Sequence, residues 1–266
     1  MRIGVIGCGG RMGRANLRAI LATEGAQLAG GVEAVGHPAL GQDLGSLAGQ
    51  EPVGLVASDD LDALLARAHV VVEFTTPEAS LEHARAAAAA GVAHVIGTTG
   101  LDAAQEAEIR ALAARVPIVR AANTSLGVTL LVALTRRVAA ALGPDWDAEI
   151  VEMHHRMKVD APSGTALALG RAVATGRGVE LESVMQSGRH GLTGARRRGD
   201  IGFATLRGGD VVGEHTVVFA ADGERVELSH KATDRAVFAR GAVRAALWLG
   251  AQPPGLYGME DVLGLS

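Results

Sequence analysis

The first half of the chain alternates short apolar runs with longer stretches whose apolar positions repeat at helical spacing. Residues 2–7 form a brief β-type run, followed by a glycine loop and a helical stretch over about 12–24. Residues 27–33 read as a second strand. His69-Val70-Val71-Val72-Glu73-Phe74 reads as a buried strand rich in β-branched side chains. Pro77 opens an alanine-rich helix that ends near Gly91, because proline at an early helical position gives up an N–H with no partner there. Strands at 92–96 and 117–120 flank a helix at 102–115. This alternation predicts a mostly parallel sheet covered on both faces.

After Asn123 the rhythm changes. Leu126–Leu142 predicts one long amphipathic helix, 147–154 an extended strand, and a further helix begins near Gly164. Residues 178–200 are polar, rich in Arg and Gly and without period, and read as a mobile loop. Strands follow at 201–206, 211–220 and 224–230, joined by the turn pairs Gly208-Gly209 and Asp222-Gly223. A last helix covers 234–250. The expected fold is α/β: a Rossmann-like, mostly parallel dinucleotide-binding sheet over 1–125 and 235–266. A smaller α+β domain with a mixed, largely antiparallel sheet fills 126–234.

Composition narrows the function. The 266 residues are 48% hydrophobic with net charge −4, which favours collapse over disorder and argues against nucleic-acid binding by bulk positive charge. One cysteine, Cys8, excludes a disulfide framework or a cysteine-based zinc ribbon. No apolar stretch reads as a targeting segment or a bilayer span, so a soluble, cytoplasmic protein is expected. Only two of the 25 basic residues are lysines, Lys158 and Lys231. In an arginine-biased chain, each lysine is a candidate for a place where an ammonium group is needed.

Gly7-Cys8-Gly9-Gly10-Arg11-Met12-Gly13 lies between the first strand and the first helix. Glycines there let the backbone approach a pyrophosphate, whose charge meets free N–H groups at the helix start. The third glycine falls one position later than in the usual G-x-G-x-x-G spacing, and a glycine turn can also simply join strand to helix. Glu33 strengthens the nucleotide reading, since it ends the second strand where an acid accepts hydrogen bonds from the adenine ribose. Its carboxylate would repel the 2′-phosphate of NADP, and Ala34 beside it supplies no cation. NADH is therefore expected in preference to NADPH. Cys8 reads as a small loop residue with nothing nearby to make it a nucleophile.

The densest chemistry lies in Glu152-Met153-His154-His155-Arg156-Met157-Lys158-Val159-Asp160-Ala161-Pro162-Ser163-Gly164-Thr165. A metal site is not expected, because adjacent histidines on an extended segment point to opposite faces and no H-E-x-x-H helix is present. Anion binding with proton supply fits better. Ser163-Gly164-Thr165 opens a helix whose first N–H groups face an anion, with Lys158, His155 and Arg156 adding positive charge. Ser163 by itself also fits a simple N-cap.

This run resembles the signature of dihydrodipicolinate reductase, the 4-hydroxy-tetrahydrodipicolinate reductase of lysine biosynthesis. The resemblance extends through Gly9–Gly13, Phe74-Thr75-Thr76-Pro77, Gly97-Thr98-Thr99-Gly100, Ala121-Ala122-Asn123-Thr124-Ser125, Val212-Gly213-Glu214-His215-Thr216 and Ser229-His230-Lys231-Ala232. It implies His154 as proton donor or acceptor and Lys158 as proton donor. Substrate contacts are implied for His155, Gly164 and Thr165, with Ser163 beside them, and for Arg235 at the hinge between domains. Cofactor contacts are implied for Gly7, Cys8, Gly9, Gly10, Arg11, Met12, Glu33, Gly97, Thr98, Thr99, Ala121, Ala122, Asn123 and Thr124. Two departures matter. Met157 stands where some members carry a third histidine, and Ala34 replaces an arginine that some use for the 2′-phosphate.

The resemblance further implies a small cyclic dicarboxylate substrate, NAD(P)H as hydride source, and a homotetramer assembled through the substrate-domain sheets. Two other readings remain at this point: a different two-domain NAD(P)-dependent dehydrogenase, or a dinucleotide-sensing module without catalysis. The first would not be expected to combine His-His-x-x-Lys with Ser-Gly-Thr. The second needs a partner-binding element, and Arg196-Arg197-Arg198 is too short a basic run to supply a recognition helix.

Overall fold

The computed structural model describes residues 1–265, which divide into two units: residues 1–126 with 236–265, and Gly127–Arg235.

In the first unit, β1 (Arg2–Ile6) leads through the glycine loop into α1 (Arg11–Leu21) and β2 (Gln27–Val32). Next come α2 (Leu44–Leu47), β3 (Ala57–Ser58) and α3 (Leu61–Leu65), all too short to leave a period in the sequence. The chain continues through β4 (Val70–Glu73), α4 (Pro77–Ala90), β5 (Ala93–Ile96), α5 (Ala103–Leu112) and β6 (Pro117–Arg120). Helix starts obey local chemistry. Thr76 caps α4 with Pro77 in its first turn, and Asp102 and Gln105 form a reciprocal capping box on α5.

The second unit holds α6 (Leu126–Leu142), β7 (Asp147–His154), α7 (Gly164–Arg177), α8 (Leu181–Val184), β8 (Met185–Ser187), β9 (Ile201–Arg207), β10 (Gly213–Ala221) and β11 (Glu224–Ala232). The chain then returns to the first unit as α9 (Ala236–Leu249), β12 (Gly255–Tyr257) and α10 (Met259–Leu263). Two expectations need correction. Residues 178–200 are not all loop, because α8 and β8 lie within them, with Leu181 buried against α7 and Phe203. Leu126–Asp145 is also long and apolar enough to cross a membrane by length and composition. Leu131 and Ala139 on this helix join the second unit's core, and Arg136-Arg137 interrupt its apolar run.

The first unit's 7-stranded sheet has the order β12-β6-β5-β4-β1-β2-β3, with every ladder parallel. Its strand order reverses between β1 and β4, the point where doubly wound sheets open a crevice at the carboxyl ends of the strands. In the second unit the order is β11-β10-β7-β9-β8. The two ladders on one side of β7 are antiparallel and the two on the other side parallel.

One face of the second sheet changes character along its length. Ala148, Ile150, Val217, Phe219, Ile201 and Phe203 form a hydrocarbon core with Leu169 and Val173 of α7. Side chains alternate along a strand, so the next inward positions on β7 are Glu152 and His154, and His215 lies inward on β10. The inward face thus turns from apolar to ionisable toward the carboxyl end of β7.

Candidate active site

In the first unit, the glycine loop after β1 and the acid after β2 are joined directly. Gly9 N–H donates to Glu33 Oε2 at 2.8 Å, and Gly7 and Cys8 N–H both donate to Val32 O. Gly10 is the extended N-cap of α1, and no side chain caps that helix, so its first-turn N–H groups remain available to a ligand. Gly13 permits the close approach of α1 to the loop, since a Cβ there would fall 2.0 Å from Gly7 O. Cys8 is buried, and burial followed by the charge of Glu33 pushes its thiol up to about 12, so it is no nucleophile at neutral pH.

A cavity of about 490 Å³ opens here, lined in part by Gly7, Gly10, Glu33, Ala34, Phe74 and Thr75. The residues fit a dinucleotide: an uncapped helix start, a loop whose glycines exclude side chains, and a carboxylate at the end of β2. Gly97 follows β5 with the Phe74 ring against it, where a Cβ would meet the ring at 2.2 Å. The Thr98 hydroxyl is turned inward, accepting from Thr75 N–H at 2.9 Å and pairing with Ser80 Oγ at 2.6 Å, whereas Thr99 is exposed. Ala121 N–H pairs with Ile96 O, Ala122 is exposed, Asn123 Oδ1 accepts from Ser125 N–H, and Thr124 Oγ1 donates to Phe238 O. Arg11 and Met12 begin α1.

Beneath this crevice lies a feature not anticipated from the residue pattern. Glu73, at the end of β4, is fully buried. Its Oε1 accepts from Thr75 Oγ1, from Ser80 Oγ at 2.8 Å and from His83 Nδ1 at 2.9 Å. His94 Nε2 lies 2.9 Å from Oε2, close enough for an ion pair but not aligned as a hydrogen bond. Burial pushes the carboxyl up, yet His83 and His94 outweigh it and hold Glu73 well below the usual carboxylate range. The signal was a glutamate inside a β-branched run.

In the second unit, the polar end of the sheet meets the start of α7. Glu152 is 1% exposed, and its two oxygens accept from four donors. His154 Nδ1 lies 2.6 Å from Oε2, Ser163 N–H 3.1 Å from Oε1, and Arg207 grips both oxygens at 2.8 and 2.9 Å. Burial raises the Glu152 pKa, but Arg207, His154 and Ser163 together lower it below the ordinary carboxylate value. The His154 pKa is lowered, mainly by burial, although Glu152 opposes the shift. His154 and His215 meet edge to face at 5.1 Å, and burial, with the neighbouring His154, takes His215 down to about 4.

Ser163 Oγ is the N-cap of α7, accepting from Ala166 N–H, and it also bonds His215 Nε2 at 3.0 Å. Its oxygen is thus engaged by two groups of the protein. Gly164 is exposed with open space around its Cα, and Thr165 follows it in the first turn. Lys158 Nζ donates to Asp160 Oδ1 at 2.7 Å, and Arg235 Nη2 lies 3.4 Å from His155 Nε2. Lys158 charge also depresses the His154 pKa, which sets the two groups in one electrostatic field. Met157 is exposed and contributes no base. Lys231, unassigned from sequence, forms a surface cross-strand pair with Glu214 at 3.6 Å. Among the described residues, no three His, Cys, Asp or Glu side chains are grouped to hold a metal ion.

The residues missed by sequence reasoning are Glu152 as a hub, Arg207 and His215. Period-2 counting from Ala148 and Ile150 would have placed Glu152 on the core face, an unusual position for a carboxylate.

Comparison with known proteins gives a consistent result. A family model described as "Dihydrodipicolinate reductase, N-terminus" matches residues 1–124, and one described as "Dihydrodipicolinate reductase, C-terminus" matches 127–263. A 4-hydroxy-tetrahydrodipicolinate reductase from Rhodopseudomonas palustris is 57% identical over 266 residues, covering 100% of this chain and 98% of that one. The enzyme of the same name from Parvibaculum lavamentivorans is 57% identical with the same coverage. Among solved structures, a dipicolinate-bound dihydrodipicolinate reductase from Paenisporosarcina sp. TG-14 superposes with TM-score 0.78 at 27% identity, covering 98% of each chain. An amine dehydrogenase from Mycobacterium smegmatis reaches TM-score 0.62 at 16% identity over 98% of this chain and 95% of that one, a likeness of fold.

Proposed function

The chain belongs to the dihydrodipicolinate reductase family, and from that premise we propose how its own residues divide the work of the reaction. It is an NAD(P)H-dependent oxidoreductase that reduces 4-hydroxy-tetrahydrodipicolinate to tetrahydrodipicolinate, with loss of water, in lysine biosynthesis. The glycine loop and the α1 start hold the pyrophosphate of the nucleotide, and Glu33 receives its adenine ribose. The bound nucleotide supplies the hydride.

In the second unit, the α7 start at Gly164-Thr165 and the Lys158 ammonium receive a ring carboxylate, which fixes the ring. His155 and Arg235 form a second polar pair for the same dicarboxylate. Loss of the hydroxyl as water takes a proton from the neighbouring ring carbon, which neutral His154 Nε2 accepts, and puts a proton on the departing oxygen. Reduction of the resulting conjugated imine needs a hydride at one end and a proton at the other. His154 Nε2 and Lys158 Nζ are the groups assigned to carry those protons. The observation behind this reading is the convergence of His154, Lys158 and the α7 start at the polar end of one sheet. The test mixes the protein with NADH and freshly made product of dihydrodipicolinate synthase and follows the nicotinamide absorbance band; no oxidation would refute it.

We assign NADH as the preferred nucleotide. A carboxylate about 5 Å from a 2′-phosphate costs about 3 kcal/mol per unit charge at an effective dielectric near 20. Of the two arginines on α1 that could offset this, Arg11 and Arg14, the latter donates through Nε to Gly9 O. We also assign a cytoplasmic homotetramer; the exposed Leu206 on the outward face of the second sheet supports the assembly, and light scattering that returned a monomer would refute it.

A further inference from the structure

We propose that Glu152 is the positioning residue of this active site, holding His154 in the Nδ1–H tautomer so that Nε2 alone handles the proton, and fixing the α7 start in register with it. The inference rests on the assignment of His154 above and adds a residue that acts through it.

The geometry carries the proposal. A carboxylate on the inward face of a sheet, beside Ile150, has no solvent to satisfy it, and Glu152 is satisfied entirely by four protein donors. An ionised carboxylate accepts only, so the His154 nitrogen 2.6 Å away must carry its proton there. The free nitrogen is Nε2, beside Gly213, where a Cβ would stand 3.1 Å from it. The groups facing the His154 ring are Glu152 on its own strand, Arg207 from β9, His215 from β10, and Lys158 in the loop before α7. Only Glu152 is anionic. When Nε2 takes a proton, the imidazolium forms among cations and is stabilised by this one carboxylate, the relation by which an acid orients a catalytic histidine.

The same carboxylate also receives Ser163 N–H, while Arg207 Nη2 reaches Asp160 O at 2.7 Å. Glu152 therefore sets proton position and anion position together. Residues 154 and 163 are nine apart in sequence, yet they are held by opposite oxygens of one group.

Two experiments decide the matter. In protein labelled with ¹⁵N-histidine, His154 signals are assigned by their absence from His154→Asn. They should report Nδ1 protonated in the wild type and lose that bias in Glu152→Gln; a wild-type Nε2–H tautomer would overturn the proposal whether or not the protein turns over. Glu152→Gln should lower kcat by between about tenfold and 10⁴-fold with the NADH dissociation constant unchanged, and should move the acid limb of the kcat profile to lower pH. Glu152→Asp should recover part of the loss. In a His154→Ala background, Glu152→Gln should cost little further. An equal loss in both backgrounds would mean that Glu152 acts structurally through Arg207, and the proposal would fail. Wild-type inactivity in the same assay would instead strike the reductase reading.

Discussion

A neutral histidine and an ammonium in one electrostatic field are suited to different halves of a proton transfer. The Lys158 ammonium carries a proton and a charge that a carboxylate can meet, whereas guanidinium would hold its proton too tightly to give it up. His154, with its pKa lowered chiefly by burial, enters the cycle neutral. Replacing either should therefore cost rate more than nucleotide affinity. For His154→Ala and Lys158→Ala we expect kcat/KM to fall by about 10²–10⁴-fold, measured by steady-state NADH oxidation. A variant that kept the wild-type value would remove that residue from the mechanism. At Glu33 the expectation concerns choice, not rate: calorimetry should give a smaller dissociation constant for NADH than for NADPH, with the gap narrowed in Glu33→Ala.

Elements supply the positions these side chains occupy. The β1–α1 loop works because α1 lies against it, and Gly13 is what permits the contact. In Gly13→Ala the new methyl meets backbone at both Gly7 and Cys8, neither of which can move without disturbing the ladder to Val32. We expect a destabilisation of about 1–3 kcal/mol and at least a tenfold weaker NADH affinity, read by thermal melts and calorimetry. Much of this scale was legible beforehand. Long or β-branched elements such as Val70–Glu73 and Leu126–Leu142 declare themselves through period and propensity. A helix of four or five residues, like α2, α3 or α8, has too few turns to show a face, and β12 has three residues that gain strand character only from β6. The chemical cluster at 152–165 was legible as residue types. Its wiring was not, because Arg207 and His215 reach Glu152 and Ser163 across more than fifty residues.

At the scale of the whole chain, both buried titrating centres weaken the fold in acid. The folded-state pKa of His215 lies at about 4, below the unfolded value near 6.5, so the unfolded chain binds more protons between those limits. Stability is full above pH 6.5 and is lost as the pH falls toward 4, by about 2 kcal/mol between pH 7 and 5 from this residue. Glu73 acts in the same direction at lower pH: its depressed pKa confers stability above the ordinary carboxylate range that disappears as acid protonates it. Denaturant titrations at pH 7 and pH 5 should show the difference, and His215→Gln should reduce it. An unchanged difference would mean that His215 is charged in the fold.

Lysine scarcity, with its two occurrences in such different settings, also gives the molecule a built-in chemical address. Lys231 stands on the surface, its side chain 67% exposed in a loose pair with Glu214, while the Lys158 side chain is 20% exposed and tied to Asp160. Substituting Lys231→Arg leaves Lys158 as the sole ε-amine, so an acylating reagent followed by peptide mass spectrometry becomes a reporter of one position. In the wild type we expect Lys231 to be modified first, and Lys158 slowly. A dicarboxylate such as dipicolinate should protect Lys158 while leaving Lys231 untouched, turning occupancy of the site into a measurable footprint without any turnover.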